Sequence, residues 1–142
     1  MSTHIPKIIE KNIVKLQSWL YDIEDIASIS DTTEALFVLR AVLHQLRDNL
    51  PITHIAHLNA QLPLVIAGLF FEGWNGHIEP YKERNEETFL KSVDEALTPH
   101  TILPAEKAVA AVFSVLKGRL GKKTTEKLQN VLPKAIRVYF DQ

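Results

Sequence analysis

Six histidines, His4, His44, His54, His57, His77 and His100, are the side chains of this chain best suited to metal ligation or proton transfer. His54 and His57 stand three residues apart, so on a helix both imidazoles share one face and form the nearest approach to a metal-ligand pair. A zinc site needs at least a third donor. The chain has no cysteine and no His-Glu-x-x-His run, so that donor would have to be His44 or a distant carboxylate brought in by the fold. Two imidazoles alone make an incomplete site, and packing, capping or solvent exposure is the expectation for both. The carboxylate pairs Glu24/Asp25, Glu86/Glu87 and Asp94/Glu95 are adjacent in sequence. Neighbours on a helix point in different directions, so these pairs read as solvated faces, not as an opposed acid and base. No serine lies in Gly-x-Ser-x-Gly, no Glu-x-x-His pair suggests a di-metal bundle, and the glycines form neither a Walker loop nor a dinucleotide fingerprint. No catalytic residue and no cofactor is assigned.

Charge offers a second chemistry. Sixteen Lys plus Arg against seventeen Asp plus Glu leave a formal charge of -1, which argues against a surface built throughout for phosphate backbones or anionic lipid. The distribution is uneven. Residues 107–137 hold eight bases against the single acid Glu126, whereas residues 72–95 hold seven acids against three bases. Lys117, Arg119, Lys122, Lys123 and Lys127 cluster around Gly121 and the start of the following helix, where formal charge and free backbone amides both favour an anion. A solvated basic face is the simplest reading of this cluster; contact with an acidic partner or a second copy comes next, and nucleic acid after that, since no base-reading helix accompanies it.

The elements that must position these residues are organised by a repeat. At an offset of 70 residues, the 36 residues from Ala35 align without a gap with the 36 from Ala105. Ten pairs are identical, among them Leu46/Leu116, Leu58/Leu128, Leu62/Leu132, Pro63/Pro133 and Phe70/Phe140. The same offset pairs Trp19, Leu20 and Ile23 with Phe89, Leu90 and Val93, which extends the units to about 19–70 and 89–140, joined by a loop over 71–82. With 142 residues, close to twice one unit, the expectation is one helical domain over 1–142: an all-α, compact bundle of two pseudo-twofold-related repeats sharing a core.

Periodicity places helices throughout. Ile5, Ile9, Ile13, Leu16, Leu20, Ile23 and Ala27 recur at steps of three and four. Asp31 and Glu34 resemble a capping box opening a helix that ends near Leu50, and Pro51 suits the first turn of the next. Pro63 either opens another helix or kinks a longer one, and Pro133 repeats that choice. Gly73, Asn75-Gly76 and Pro80 mark the loop before helix resumes near Glu83. The second unit reads as helices near 83–97, 104–119, 123–131 and 133–140. Trp74, beside Gly73, either lids the junction between the units or presents a binding surface.

The segment Leu46-Arg47-Asp48 with Leu50-Pro51, the His57-Leu58-x-Ala60-Gln61-Leu62-Pro63 turn, the Phe71-Glu72-Gly73-Trp74 stretch and the second Leu132-Pro133 together resemble a bacterial helical family, domain of unknown function 2267. The resemblance covers nearly the whole chain and implies an all-helical fold of two related halves; it implies no activity, cofactor or catalytic residue. A non-enzymatic interaction or structural module is therefore expected, with an unknown protein or a second copy as partner and a homodimer as one form. Binding of nucleic acid or another polyanion through 117–127 is the alternative. A metal-dependent enzyme using His54 and His57 comes last. The longest apolar stretch, Leu62–Phe71, is about half a membrane span, and the charged N-terminal residues interrupt any signal-peptide core, so no membrane partner and a cytoplasmic location are expected.

Overall fold

The computed structural model describes residues 4–80 and 85–141. Among them the chain forms eight α-helices and no strand: α1 (Lys7–Ala27), α2 (Thr32–Asp48), α3 (Ile52–Gln61), α4 (Leu64–Phe71), α5 (Glu86–Leu97), α6 (Ala105–Leu120), α7 (Lys122–Val131) and α8 (Lys134–Arg137), closed by a 3-10 turn over Val138–Asp141. The fold is an all-helical bundle, as the periodicity predicts. The position near Glu83 where helix is expected to resume lies outside the described residues, and so does the end of the 71–82 loop.

Local chemistry sets the helix ends. Asp31 accepts the amides of Thr33 and Glu34 at the start of α2. Glu34 does not close the box from the other side: its carboxylate takes the hydroxyl of Thr101 in the loop before α6, tying two distant chain turns together. Pro51, Pro63, Pro104 and Pro133 each sit immediately before a helix in extended geometry, where a missing N–H costs no intrahelical bond. The choice at Pro63 and Pro133 thus resolves in favour of separate helices. The preceding residues Leu62 and Leu132 carry nearly the same backbone angles, φ -87 ψ 146 and φ -90 ψ 149. Gly121, at φ 83, lets α6 turn directly into α7 through a conformation that favours glycine.

The core is one cluster centred on α2 and α6, whose Val38, Leu39, Val42, Leu43, Leu46, Val109, Val112, Phe113 and Leu116 are fully buried. α1 packs on both of these helices and α5 packs on both from its own place; α4 covers α2, and the 3-10 turn covers α6. α1 buries Trp19, Leu20, Ile23 and Ala27. Toward its N-terminus the same stripe emerges into solvent at Ile9 and Ile13, with Ile8 beside them and Ile5 just ahead of the helix also exposed. Asn12, inside that stripe, is buried because it bridges: Nδ2 donates to Ile8 O at 2.7 Å and Oδ1 accepts the Leu64 amide at 3.0 Å, capping α4 from a neighbouring helix.

Candidate functional site

The most concentrated polar chemistry lies at the junction of α2 with the end of α4. Arg40, His44 and Arg47 are spaced by four and three residues, so they share one face of α2. That face meets the C-terminus of α4, where the last carbonyls of a helix lack intrahelical donors and carry partial negative charge. Every one of them is satisfied. Glu72 N–H donates to Gly68 O, His44 Nε2 lies 2.8 Å from Leu69 O, Arg47 Nη1 donates to Phe70 O at 3.0 Å, and Trp74 N–H donates to Phe71 O at 3.0 Å. The same Arg47 Nη1 also reaches Glu72 O at 2.7 Å, while its Nε donates to Asp48 Oδ1 at 3.0 Å in a buried ion pair. Arg40 grips the Glu72 carboxylate through Nε and Nη2 at 2.9 and 2.7 Å. Gly73, at φ 75, then turns the chain sharply away from α4.

His44 is partly buried here, and burial holds its pKa below the ordinary 6.5; Arg47 and Arg40 add to the lowering, and the Leu69 carbonyl and Glu72 oppose it. The sign of the stability effect follows. As pH falls past the unfolded imidazole's value of about 6.5, the denatured chain takes up a proton that the folded chain resists. The contribution of neutral His44 is intact above that value and is lost as pH falls through the lower folded one. Urea unfolding between about pH 7.5 and about pH 5 is expected to show a decline in stability that shrinks in His44→Gln; an identical decline in both proteins would remove His44 as its source.

Above this junction a shallow cleft of about 170 Å³ lies between α2 and α5, lined by Phe37, Arg40, Ala41, His44, Ala96 and His100. His100 stacks on Phe37 with ring centroids 3.6 Å apart, and Arg40 lies 5.9 Å from the same ring. His54 and His57 sit elsewhere, on α3. His54 is half-buried with Nδ1 3.4 Å from Thr53 Oγ1, and His57 is exposed. Among the described residues no three His, Asp or Glu side chains converge.

The basic cluster is divided by the fold. Arg119 is committed to α1, donating to Asp22 Oδ2 at 3.0 and 2.7 Å and to Ser18 Oγ. Lys117 donates to Phe140 O at 3.3 Å and stands 3.9 Å from Asp141. This matches Arg47 on Phe70 O, 70 residues earlier. Lys122, Lys123 and Lys127 are exposed on α7, with Lys122 4.0 Å from Glu126.

Trp74 is half-buried, edge-on to Phe71 at 5.6 Å and to His77 at 6.1 Å, outside the central cluster. Partial burial sets a ceiling: Trp74→Ala is expected to cost about 1–3 kcal/mol, below the roughly 3–5 kcal/mol of a fully buried aromatic. A thermal midpoint unchanged by the substitution would show that the ring packs on nothing that matters to stability.

The match to known proteins follows this geometry. A family model described as "Uncharacterized conserved protein (DUF2267)" covers residues 16–139. The chain belongs to the DUF2267 family. No curated protein matches it in sequence. In this DUF2267 chain the Leu-Arg-Asp segment and the aromatic-Glu-Gly-Trp segment are two sides of one contact, with Arg47 closing the end of α4. Pattern reading missed Arg40 and the role of Arg47, although the 40, 44, 47 spacing was a usable signal. Nothing in the order of residues pointed to Glu72 as the acceptor.

Proposed function

We propose that this protein is a non-enzymatic interaction or structural module that associates with a second copy of itself or with another protein. One observation carries the reading. The stripe that α1 buries farther along continues into solvent as Ile9 and Ile13 with Ile8 beside them, and Ile5 just ahead of the helix, Val14 and Leu64 of α4 are exposed as well. Isolated surface apolars are ordinary, but a contiguous row on one helix is the kind of surface that partners cover. The buried and half-buried polar groups are engaged in holding helices: Arg47, His44 and Arg40 at the end of α4, and Arg119 on α1. Light scattering over a range of concentrations is expected to reveal a species near twice 16.1 kDa that Ile8→Asp with Ile13→Asp reduces to the monomer. A 16.1 kDa species at every concentration, with no protein retained by the immobilised chain, would defeat the reading.

The 70-residue offset between the starts of α3 and α7 and of α4 and α8, with the matching Leu62 and Leu132 geometry, supports a duplicated unit, its halves related by a pseudo-twofold axis within one domain. A cytoplasmic setting suits a cysteine-free chain whose described helices include none long and apolar enough to cross a membrane. The second reading is polyanion binding through Lys122, Lys123 and Lys127, supported by their exposure on one helix. It requires binding to RNA or DNA that weakens steeply with salt and is lost in Lys122→Ala with Lys123→Ala.

A further inference from the structure

We propose that the outward face of the first half of α1 docks against the acidic groove between α5 and the start of α6 on a second copy of this chain; the proposal rests on the interaction-module reading and names both surfaces. Over residues 5–15 every residue except Asn12 is exposed. Lys7, Ile8, Lys11, Val14 and Lys15 fall at helical steps i, i+1, i+4, i+7 and i+8, so they share the side of α1 that points away from the buried Leu20, Ile23 and Ala27. Ile8 and Val14 are each 63% exposed, and the three lysines stand among them. The one acid of the stretch, Glu10, lies at the edge of this face. Among the described residues Lys7, Lys11 and Lys15 enter no salt bridge.

The groove supplies what that face lacks. It is an open cavity of about 470 Å³ whose lining sets Glu87, Asp94 and Glu106 against one base, Lys91, with Leu90 and Pro104 as apolar surface. The three acids have no salt-bridge partner among the described residues. No residue of α1 lines the cavity, so the chain does not answer these acids with its own α1 lysines. The loop leading into α6 adds an apolar edge. Thr101 is tied to the Glu34 carboxylate, the Leu103 amide donates to Thr101 Oγ1 at 3.0 Å, and Ile102 between them stands wholly exposed, two residues before Pro104 of the groove. Apolar side chains set among lysines on one surface and among carboxylates on the other match in both respects. The basic side of α7 matches less well, because Lys122, Lys123 and Lys127 are accompanied by Glu126 and by no exposed large apolar residue of that helix. Unlike faces meet, so copies join reciprocally as a dimer or in series. Exposed ion pairs each contribute little, and the association therefore weakens with salt.

The test measures mass by light scattering at about 50 mM and about 500 mM salt for the full chain, for Lys11→Glu with Lys15→Glu, and for Glu87→Lys with Asp94→Lys. All four positions are exposed, and urea unfolding is the control that both variants fold. The parent is expected to associate and to dissociate at the higher salt, and each variant alone to associate about tenfold or more weakly. An equal mixture of the two variants should restore association, because reversed charges on both faces attract again. Self-association that ignores both variants, or a mixture no stronger than either variant alone, overturns the proposal. An equal loss from Lys122→Glu with Lys123→Glu also overturns it, by placing the basic partner on α7. So does sedimentation with phosphatidylserine vesicles at protein concentrations where no self-association occurs, which assigns the α1 face to an anionic lipid surface. The interaction-module reading is scored separately. An association that Ile8→Asp with Ile13→Asp abolishes but the charge reversals leave intact keeps that reading and ends this pairing, and so does a chain that is monomeric throughout yet retains another protein when immobilised.

Discussion

Arg47→Ala is expected to destabilise the fold by about 3–5 kcal/mol, the range for removing one partner of a buried ion pair. The side chain is 5% exposed, and its guanidinium is divided among the Asp48 carboxylate and the Phe70 and Glu72 carbonyls. Truncation leaves a buried carboxylate without its cation and two carbonyls without a donor, each of which carries its own desolvation cost. Lysine should not restore the loss, because a single ammonium on a flexible stem does not reproduce a planar fork that serves three acceptors. Removing Asp48 as well should recover part of it, since the uncompensated charge then disappears, and a double-mutant cycle in urea measures that coupling. A midpoint for Arg47→Ala within about 0.5 kcal/mol of the parent would mean that the junction does not hold α4 in place.

Phe113→Ala is expected to cost a similar amount, about 3–5 kcal/mol, by a different route. Phe113 is fully buried on α6, stacked on Phe140 with centroids 4.1 Å apart and edge-on to Phe89 at 6.3 Å. The ring joins α5, α6 and the closing 3-10 turn, so its removal leaves a cavity where three elements meet. Phe113→Leu should recover more than half of the loss, since Leu43 stands at the matching position of the first half and packs there fully buried. Both variants are read by urea unfolding. A loss as large for leucine as for alanine would show that ring stacking, not filled volume, is what matters at this position.

The fold was legible because its determinants are local and periodic. A stripe such as Trp19, Leu20, Ile23 and Ala27 buries one helix face wherever the helix lies, and a proline before an apolar run opens a helix without tertiary help. Even so, spacing alone does not separate Ile9 and Ile13 from Leu20 and Ile23 on the α1 stripe, and only packing shows that the N-terminal isoleucines extend beyond the helices that cover the rest. The basic cluster shows the same boundary. Composition located Lys117, Arg119, Lys122, Lys123 and Lys127, but Arg119 is bound to Asp22 across 97 residues of chain, a pairing that sequence separation conceals.

By itself, then, the order of residues determined the helical class, the 70-residue internal correspondence and the positions of the helix-opening prolines, since each depends on spacing within one or two turns or on direct self-comparison. Only the tertiary structure decided which polar groups are free. Arg47 and His44 serve the carbonyls of a helix more than twenty residues away, while Lys122 remains in solvent beside an open groove. The physical reason is that hydrogen bonds and ion pairs act over a few ångströms in space. Which groups come within that reach depends on how helices cross, and neighbouring residues do not specify that.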